Sequence, residues 1–304
     1  MSCLQIHHRT TYRYTGPVKF GLHRLVLRPR EGHRTKVHSH RISVSPRATL
    51  TWMTDIFGNH IALAEIHEKA SLLTVDNRIE LDVQDTPADP GAVQQSHCSS
   101  VTLPAAWLQY EHSIASAYAV PAWPEDAAVV RQWLHSLVKP SGMSAAGVMQ
   151  ALTAAIHRTI QYRRREEPGV QAPAATLKLG TGSCRDLATL ALEAARSLGL
   201  AVRFVSGYLH SAVSAAGRGS THAWVEVYLP DCGWTAFDPT TGGAAGPHHI
   251  PLGVSSHPRG VMPISGTFDG NTGSSLGLHV SLRIRSIAPP EQNSGAAALS
   301  AFPH

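Results

Sequence analysis

The sequence predicts an α+β protein: an N-terminal antiparallel β domain, then a core in which helices and strands alternate. Three observations carry this. Short strand-like runs broken by Pro and Gly fill residues 4 to about 85. Two amphipathic helical repeats follow between residues 124 and 162, and a third helical repeat then leads into a strand and a hairpin over residues 184–238. With 304 residues and 43% hydrophobic content, the chain is long enough to bury two cores.

In the first region, Lys36 to Val44 and Leu72 to Val75 are typical strand runs. Thr86-Pro87-Ala88-Asp89-Pro90-Gly91 reads as a linker that Ser96 to Pro104 extends, which places a β domain at 1–95. Pro124-Glu125-Asp126 then starts a helix carrying Val129, Val130, Trp133, Leu134 and Leu137. Ser144 to Tyr162 repeats the pattern with Val148, Leu152, Ala155, Ile156 and Ile160, and both helices are read as core packing. Past residue 238 the chain is rich in Gly, Pro and Ser until Leu278 to Ile284, an alternating strand that can rejoin a sheet. The core is therefore placed at 96–290, with a disordered tail over 291–304.

The chemistry is concentrated in the middle of the core. Leu187, Leu190, Ala191, Ala194 and Leu198 recur at helical spacing and Gly199 ends the run, which predicts a helix from about Cys184 to Leu198. Gly180 and Gly182 let the chain turn into it, leaving Cys184 in the first turn, where unpaired amides and the positive dipole end favour a thiolate. Ala201 to Val205 reads as a buried strand. His222 opens an alternating strand to Leu229, and Pro230-Asp231-Cys232-Gly233 turns it into a return strand from Trp234 to Asp238.

A thiol at a helix start, followed by a His and an Asp bordering strands, is the order of parts a cysteine nucleophile needs. The thiol attacks, the imidazole takes its proton, and the carboxylate orients the ring. His222 and Asp238 share a face of the hairpin only if paired residue numbers sum to an even value. Trp224, Tyr228 and Trp234 would share that face and wall the imidazole. Each residue alone has a plainer reading: a small buried hydrophobe, a surface hydrogen-bonder, a turn starter. Their order and context together favour Cys184, His222 and Asp238 as catalytic residues.

Other classes fit less well. The net charge of +5 suggests nucleic acid, but the one tight basic cluster, Arg163-Arg164-Arg165, is followed at once by Glu166-Glu167. The 19 His include the adjacent pairs His7-His8 and His248-His249, which point apart along a strand, and no HExxH occurs. His249, just beyond Asp238, is placed along the substrate cleft. Cys3, Cys98, Cys184 and Cys232 form no CxxC pair, so neither a disulfide framework nor a zinc site is expected. No run approaches a membrane span and the N-terminus lacks a leader pattern, making the cytoplasm the default location.

The blocks Gly182-Ser183-Cys184-Arg185-Asp186-Leu187-Ala188, Ser206-Gly207-Tyr208, His222-Ala223-Trp224-Val225-Glu226-Val227 and Gly233-Trp234-Thr235-Ala236-Phe237-Asp238-Pro239-Thr240 resemble the core of the bacterial transglutaminase-like superfamily. Thr10 to Tyr14, Leu27-Arg28-Pro29-Arg30 and Asp55-Ile56-Phe57-Gly58-Asn59 resemble the β-rich N-terminal domain that accompanies it. The resemblance implies a papain-like α+β core with Cys184, His222 and Asp238 as its triad. It also implies a thioester formed from a glutamine carboxamide or peptide bond, with transfer to an amine or hydrolysis by water. The expected partners are a peptide or protein amide substrate and a small amine acceptor, without nucleic acid or membrane. No metal or organic cofactor is called for, and no EF-hand-like acidic loop occurs. A catalytically idle peptide-binding module with the same fold is the alternative.

Overall fold

A computed structural model describes residues 2–84, 107–137, 142–165, 167–210, 219–230, 232–271 and 273–287. The first part is all strand: β1 (Ser2–Phe20), β2 (His23–Leu25), β3 (Thr35–Ser45), β4 (Ala48–Thr54), β5 (His60–Ile66) and β6 (Ala70–Val83). Helices α1 (His112–Ala119), α2 (Ala127–Leu137) and α3 (Ala145–Thr159) follow, then β7 (Gln161–Tyr162), α4 (Pro173–Leu179), β8 (Thr181–Gly182) and α5 (Cys184–Arg196). The remainder is strand: β9 (Val202–His210), β10 (Gly219–Leu229), β11 (Gly233–Asp238), β12 (Gly243–Ala244), β13 (His249–Ser255), β14 (Ile264–Ser265), β15 (Phe268–Asp269) and β16 (Ser275–Ile287). The predicted α+β class and its N-terminal β region are what the molecule has. The linker at 86–104 and the tail at 291–304 lie outside the described residues.

Two antiparallel sheets make the N-terminal part, one ordered β15-β1-β6-β3 with β16 also on β1, the other β14-β2-β5-β4. Burial follows the two-residue period. Leu4 and Ile6 of β1 face Leu81 and Ile79 of β6, and all four are buried. Strand β16 pairs with β1 from Cys3↔Ile287 to Tyr12↔Leu278, so it completes the first sheet rather than the later one.

The later sheet runs β12-β11-β10-β9-β13, antiparallel throughout. Ala223, Val225, Val227 and Leu229 of β10 turn one face onto α5, where they join Leu187, Leu190 and Ala194 in a core shared with α2 and α3. Helix α5 is buried almost throughout, its Leu187, Leu190 and Leu192 each contributing about 1.5–3 kcal/mol by burial. Its C-terminal end is held by Arg196, which donates to the carbonyls of Tyr118, Val202 and Ser256 and pairs with Glu193. Strand β13 packs Ile250 and Leu252 against Leu25, Leu27, Ala62 and Ala64, so the two regions share a hydrophobic seam.

Asn59 locks that seam. Its amide donates to the Val254 carbonyl at 2.8 Å and accepts from the Val254 N–H at 2.9 Å, imitating one rung of a sheet. Asp55 holds Asn59 in place by accepting from its N–H and side chain, and Gly58, at φ +74, makes the turn between them. The Asp55-Ile56-Phe57-Gly58-Asn59 stretch is therefore a docking loop.

Several sequence expectations are corrected. The helix expected to reach Tyr162 stops at Thr159. Ile160 is extended, and the Gln161 N–H donates instead to the Gly180 carbonyl as β7 pairs with β8. The helix expected to reach Leu198 ends at Arg196. Helices α1 and α4 were not anticipated, their short runs carrying too little periodicity. Cys232 is disulfide-bonded, although the cysteine spacing gave no sign of it.

Candidate active site

Cys184 is the first residue of α5, and the local sequence explains its position. Gly180 caps α4 in the left-handed region at φ +63, and β8 carries the chain on to the helix start. A Cβ on Gly182 would sit 2.9 Å from Asp186 Cβ and 3.1 Å from Leu187 Cδ1, so only glycine lets the strand pass this close to the helix. Asp186 bends back to accept from Ser183 N–H at 2.8 Å and Ser183 Oγ at 2.7 Å, tying the turn before Cys184 to the turn after it. Arg165 and Gln171 also donate to this carboxylate. Burial alone would raise the Asp186 pKa, but these donors hold it below the usual carboxylate range.

The hairpin supplies the other two groups. Strands β10 and β11 pair Val225 with Phe237, both odd-numbered, so the register condition for His222 and Asp238 is met. His222 Nε2 donates to Asp238 Oδ2 at 2.8 Å, and the His222 ring is also hydrogen-bonded to the Cys184 side chain. Cys184 is part-exposed, His222 is buried and Asp238 is wholly buried. Burial alone would lower the His222 pKa. The hydrogen bonds and negative charge of Asp238 and Cys184 outweigh it and push His222 up to about 9. Asp238 is desolvated too, but the two imidazoles on it and the Thr240 N–H, 2.8 Å from Oδ1, hold it far below the ordinary carboxylate range.

The structure thus brings all three predicted residues together. It also adds His249, whose Nε2 donates to the same Asp238 Oδ2 at 3.0 Å. The sequence reading placed His249 along a cleft. Its contact with Asp238 was missed because it depends on β13 folding back along β9, with His249 opposite Leu209. Tyr162, parallel to Gly182 in β7, is raised by burial and then by the charge of nearby Cys184.

The expected aromatic wall is reduced to one ring. Trp224 stacks on His222 with centroids 6.2 Å apart and meets His249 edge-on at 5.1 Å. Tyr228 and Trp234 do pair across the hairpin at 5.5 Å, but Tyr228 lies about 20 Å along the strand from His222. Gly207 makes room for the indole: a Cβ there would sit 2.5 Å from the Trp224 ring and 2.3 Å from the Ile250 carbonyl. A cleft of about 220 Å³ runs past Trp224, Trp234, Ala245, Pro247 and His249. It meets the site at Trp224 and His249 and is not lined by Cys184.

Among the described residues, two sets of donor atoms lie within 4.8 Å of one another, close enough to hold a cation: His222, Asp238 and His249, and, in the N-terminal sheet, Cys3, His38 and Asp82. In both, the hydrogen bonds among the side chains already account for the arrangement.

A thiol on a buried helix, facing an imidazole and a carboxylate on an antiparallel sheet, is the layout of transglutaminase-like and cysteine-protease folds. The chain matches that superfamily in two regions: residues 131–239 match the transglutaminase-like superfamily and residues 4–82 the bacterial transglutaminase-like N-terminal region. The uncharacterized protein Rv2569c of Mycobacterium tuberculosis is 26% identical over 283 residues, covering 90% of this chain and 89% of its own. ML0607 of Mycobacterium leprae is 22% identical over 287 residues, covering 92% and 98%. Among solved structures, a candidate cysteine protease from Cytophaga hutchinsonii superposes with a TM-score of 0.72 at 15% identity, covering 96% of this chain and 92% of its own, which is a likeness of fold. No helix among the described residues is long and apolar enough to cross a membrane.

Proposed function

We propose that the protein is a cysteine enzyme that forms a thioester on Cys184 from a glutamine carboxamide or a peptide bond and passes the acyl group to an amine or to water. The observation that carries this reading is the His222 ring, bonded at once to the Cys184 side chain and, at 2.8 Å, to a wholly buried Asp238. The His222 ring is pushed up to about 9 by Asp238 and by the Cys184 side chain it meets, the partnership a nucleophilic thiol needs.

The steps balance on these residues alone. Cys184 sulfur attacks the carbonyl carbon, and the developing oxyanion faces the amides of the first turn of α5. The carbon–nitrogen bond breaks, and the nitrogen leaves as ammonia or an amine with the proton from His222. An incoming amine or water then gives its proton to His222 and attacks the thioester, freeing the thiolate. Asp238 keeps the ring oriented and stabilises its charged form.

Acyl-enzyme capture tests this reading. Intact mass after exposure to a glutamine-containing peptide mixture should show an adduct on Cys184, absent in Cys184→Ala. Turnover that survives Cys184→Ala would exclude the mechanism, whereas an unaltered protein that forms no adduct and turns over no amide would favour the idle binding module. The cytoplasm remains the proposed compartment, although the disulfide at Cys232 is a feature of oxidising ones; cell fractionation decides.

A further inference from the structure

We infer that His249 is a positioning residue for the same site: it shares Oδ2 of Asp238 with His222, fixing the carboxylate and tempering its hold on the His222 proton. The inference rests on the triad reading above and adds a member that reading does not use.

Its geometry is specific. The Gly246 N–H donates to His249 Nδ1 at 3.2 Å, while the His249 N–H donates to the Gly246 carbonyl at 3.1 Å. With Nδ1 occupied as an acceptor, the ring proton belongs on Nε2, which is the nitrogen that reaches Asp238 at 3.0 Å. A four-residue turn therefore sets the tautomer, and Trp224, edge-on at 5.1 Å, helps set the ring plane. The two imidazole centroids are 5.8 Å apart, and the carboxylate oxygen between them accepts from both.

An acceptor that takes a second donor has less electron density for the first. His249 consequently weakens the pull of Asp238 on His222, and its removal should make the His222 proton harder to lose. The titratable groups facing the pair are Asp238 from β11 and Cys184 from α5, with Tyr162 of β7 beside the thiol. Nearby histidines are engaged elsewhere: His248 meets His210 edge-on, and His157 Nδ1 donates to the Thr240 carbonyl at 2.8 Å.

The test needs no substrate. In histidine-labelled protein, ¹⁵N shifts should show the wild-type His249 as the Nε2–H tautomer; an Nδ1–H ring overturns the inference without any variant. In the same spectra, His249→Phe should move the His222 titration midpoint upward by roughly 0.5 to 1 unit. His249→Gln, whose amide nitrogen replaces Nε2, should keep it near the wild-type value. An unmoved midpoint in a folded His249→Phe protein removes the role. Failure of the triad reading would look different: the His222 midpoint would then not respond to Cys184→Ala.

Discussion

Two buried aspartates flank the candidate site, and they are held in different ways. Asp186 and Asp238 are both wholly excluded from solvent, and both are held below the ordinary carboxylate range by hydrogen bonds. Asp186 is bound by a guanidinium, a carboxamide, a hydroxyl and backbone N–H groups, none of which changes charge at physiological pH. Asp238 is bound chiefly by two imidazoles, and the His222 ring gives up its charge as pH rises through about 9. The first arrangement makes a fixed joint at the start of α5 and so places the thiol. The second makes a joint whose strength follows the protonation of His222. Donor chemistry, rather than burial or carboxylate type, assigns one aspartate to architecture and the other to proton transfer.

The largest expected effect breaks the pair on the activity side. Asp238→Asn keeps a hydrogen-bonding group for the His222 ring but loses the charge that stabilises imidazolium. Turnover of whichever amide acylates Cys184 should fall by about 10³–10⁴-fold, with the fold retained by circular dichroism. A variant with near-normal kcat would place Asp238 with Asp186 as a structural residue.

Next comes the stability side. Asp186→Ala leaves the Arg165 guanidinium, only 18% exposed, with Glu167 at 3.5 Å as its remaining carboxylate, and removes the acceptor for Ser183 and Gln171. The expected loss is about 3–5 kcal/mol in urea unfolding. Labelling of Cys184 by iodoacetamide should become slower or less selective as the helix start loosens. A loss below about 1 kcal/mol would mean that the joint contributes little.

A smaller effect lies in the pH dependence. His222 is raised from an ordinary 6.5 to about 9, so the stability it contributes is whole below about 6.5 and fades as pH rises through about 9. Both aspartates are depressed, so their contribution is present above the ordinary 3.8 and fades as pH falls toward their folded values. Unfolding free energies measured across pH should therefore show the wild-type advantage over Asp238→Asn shrinking at both ends. The advantage over Asp186→Asn should shrink only on the acid side. Identical alkaline behaviour of the two variants would mean that the two aspartates are held alike.

Much of this was legible in the chain. Local patterns suffice for a helix beginning at Cys184, an alternating strand after His222 and a return strand ending in Asp238, because each depends on neighbours within a few residues. The expected strands at 36–44 and 278–284 also lie within β3 and β16. Their partners were beyond reach, since pairing β16 with β1 joins residues more than 250 positions apart. The hairpin could be given only a parity condition, which the Val225↔Phe237 register then satisfied.

Tertiary structure alone decided the rest. Arg165 reaches Asp186 across 21 positions, Asn59 reaches Val254 across 195, and His249 reaches Asp238 only because β13 lies beside β9. A sequence displays which side chains can donate or accept. Which of them share one buried oxygen depends on strand register and on the packing of distant segments, and no local period encodes either.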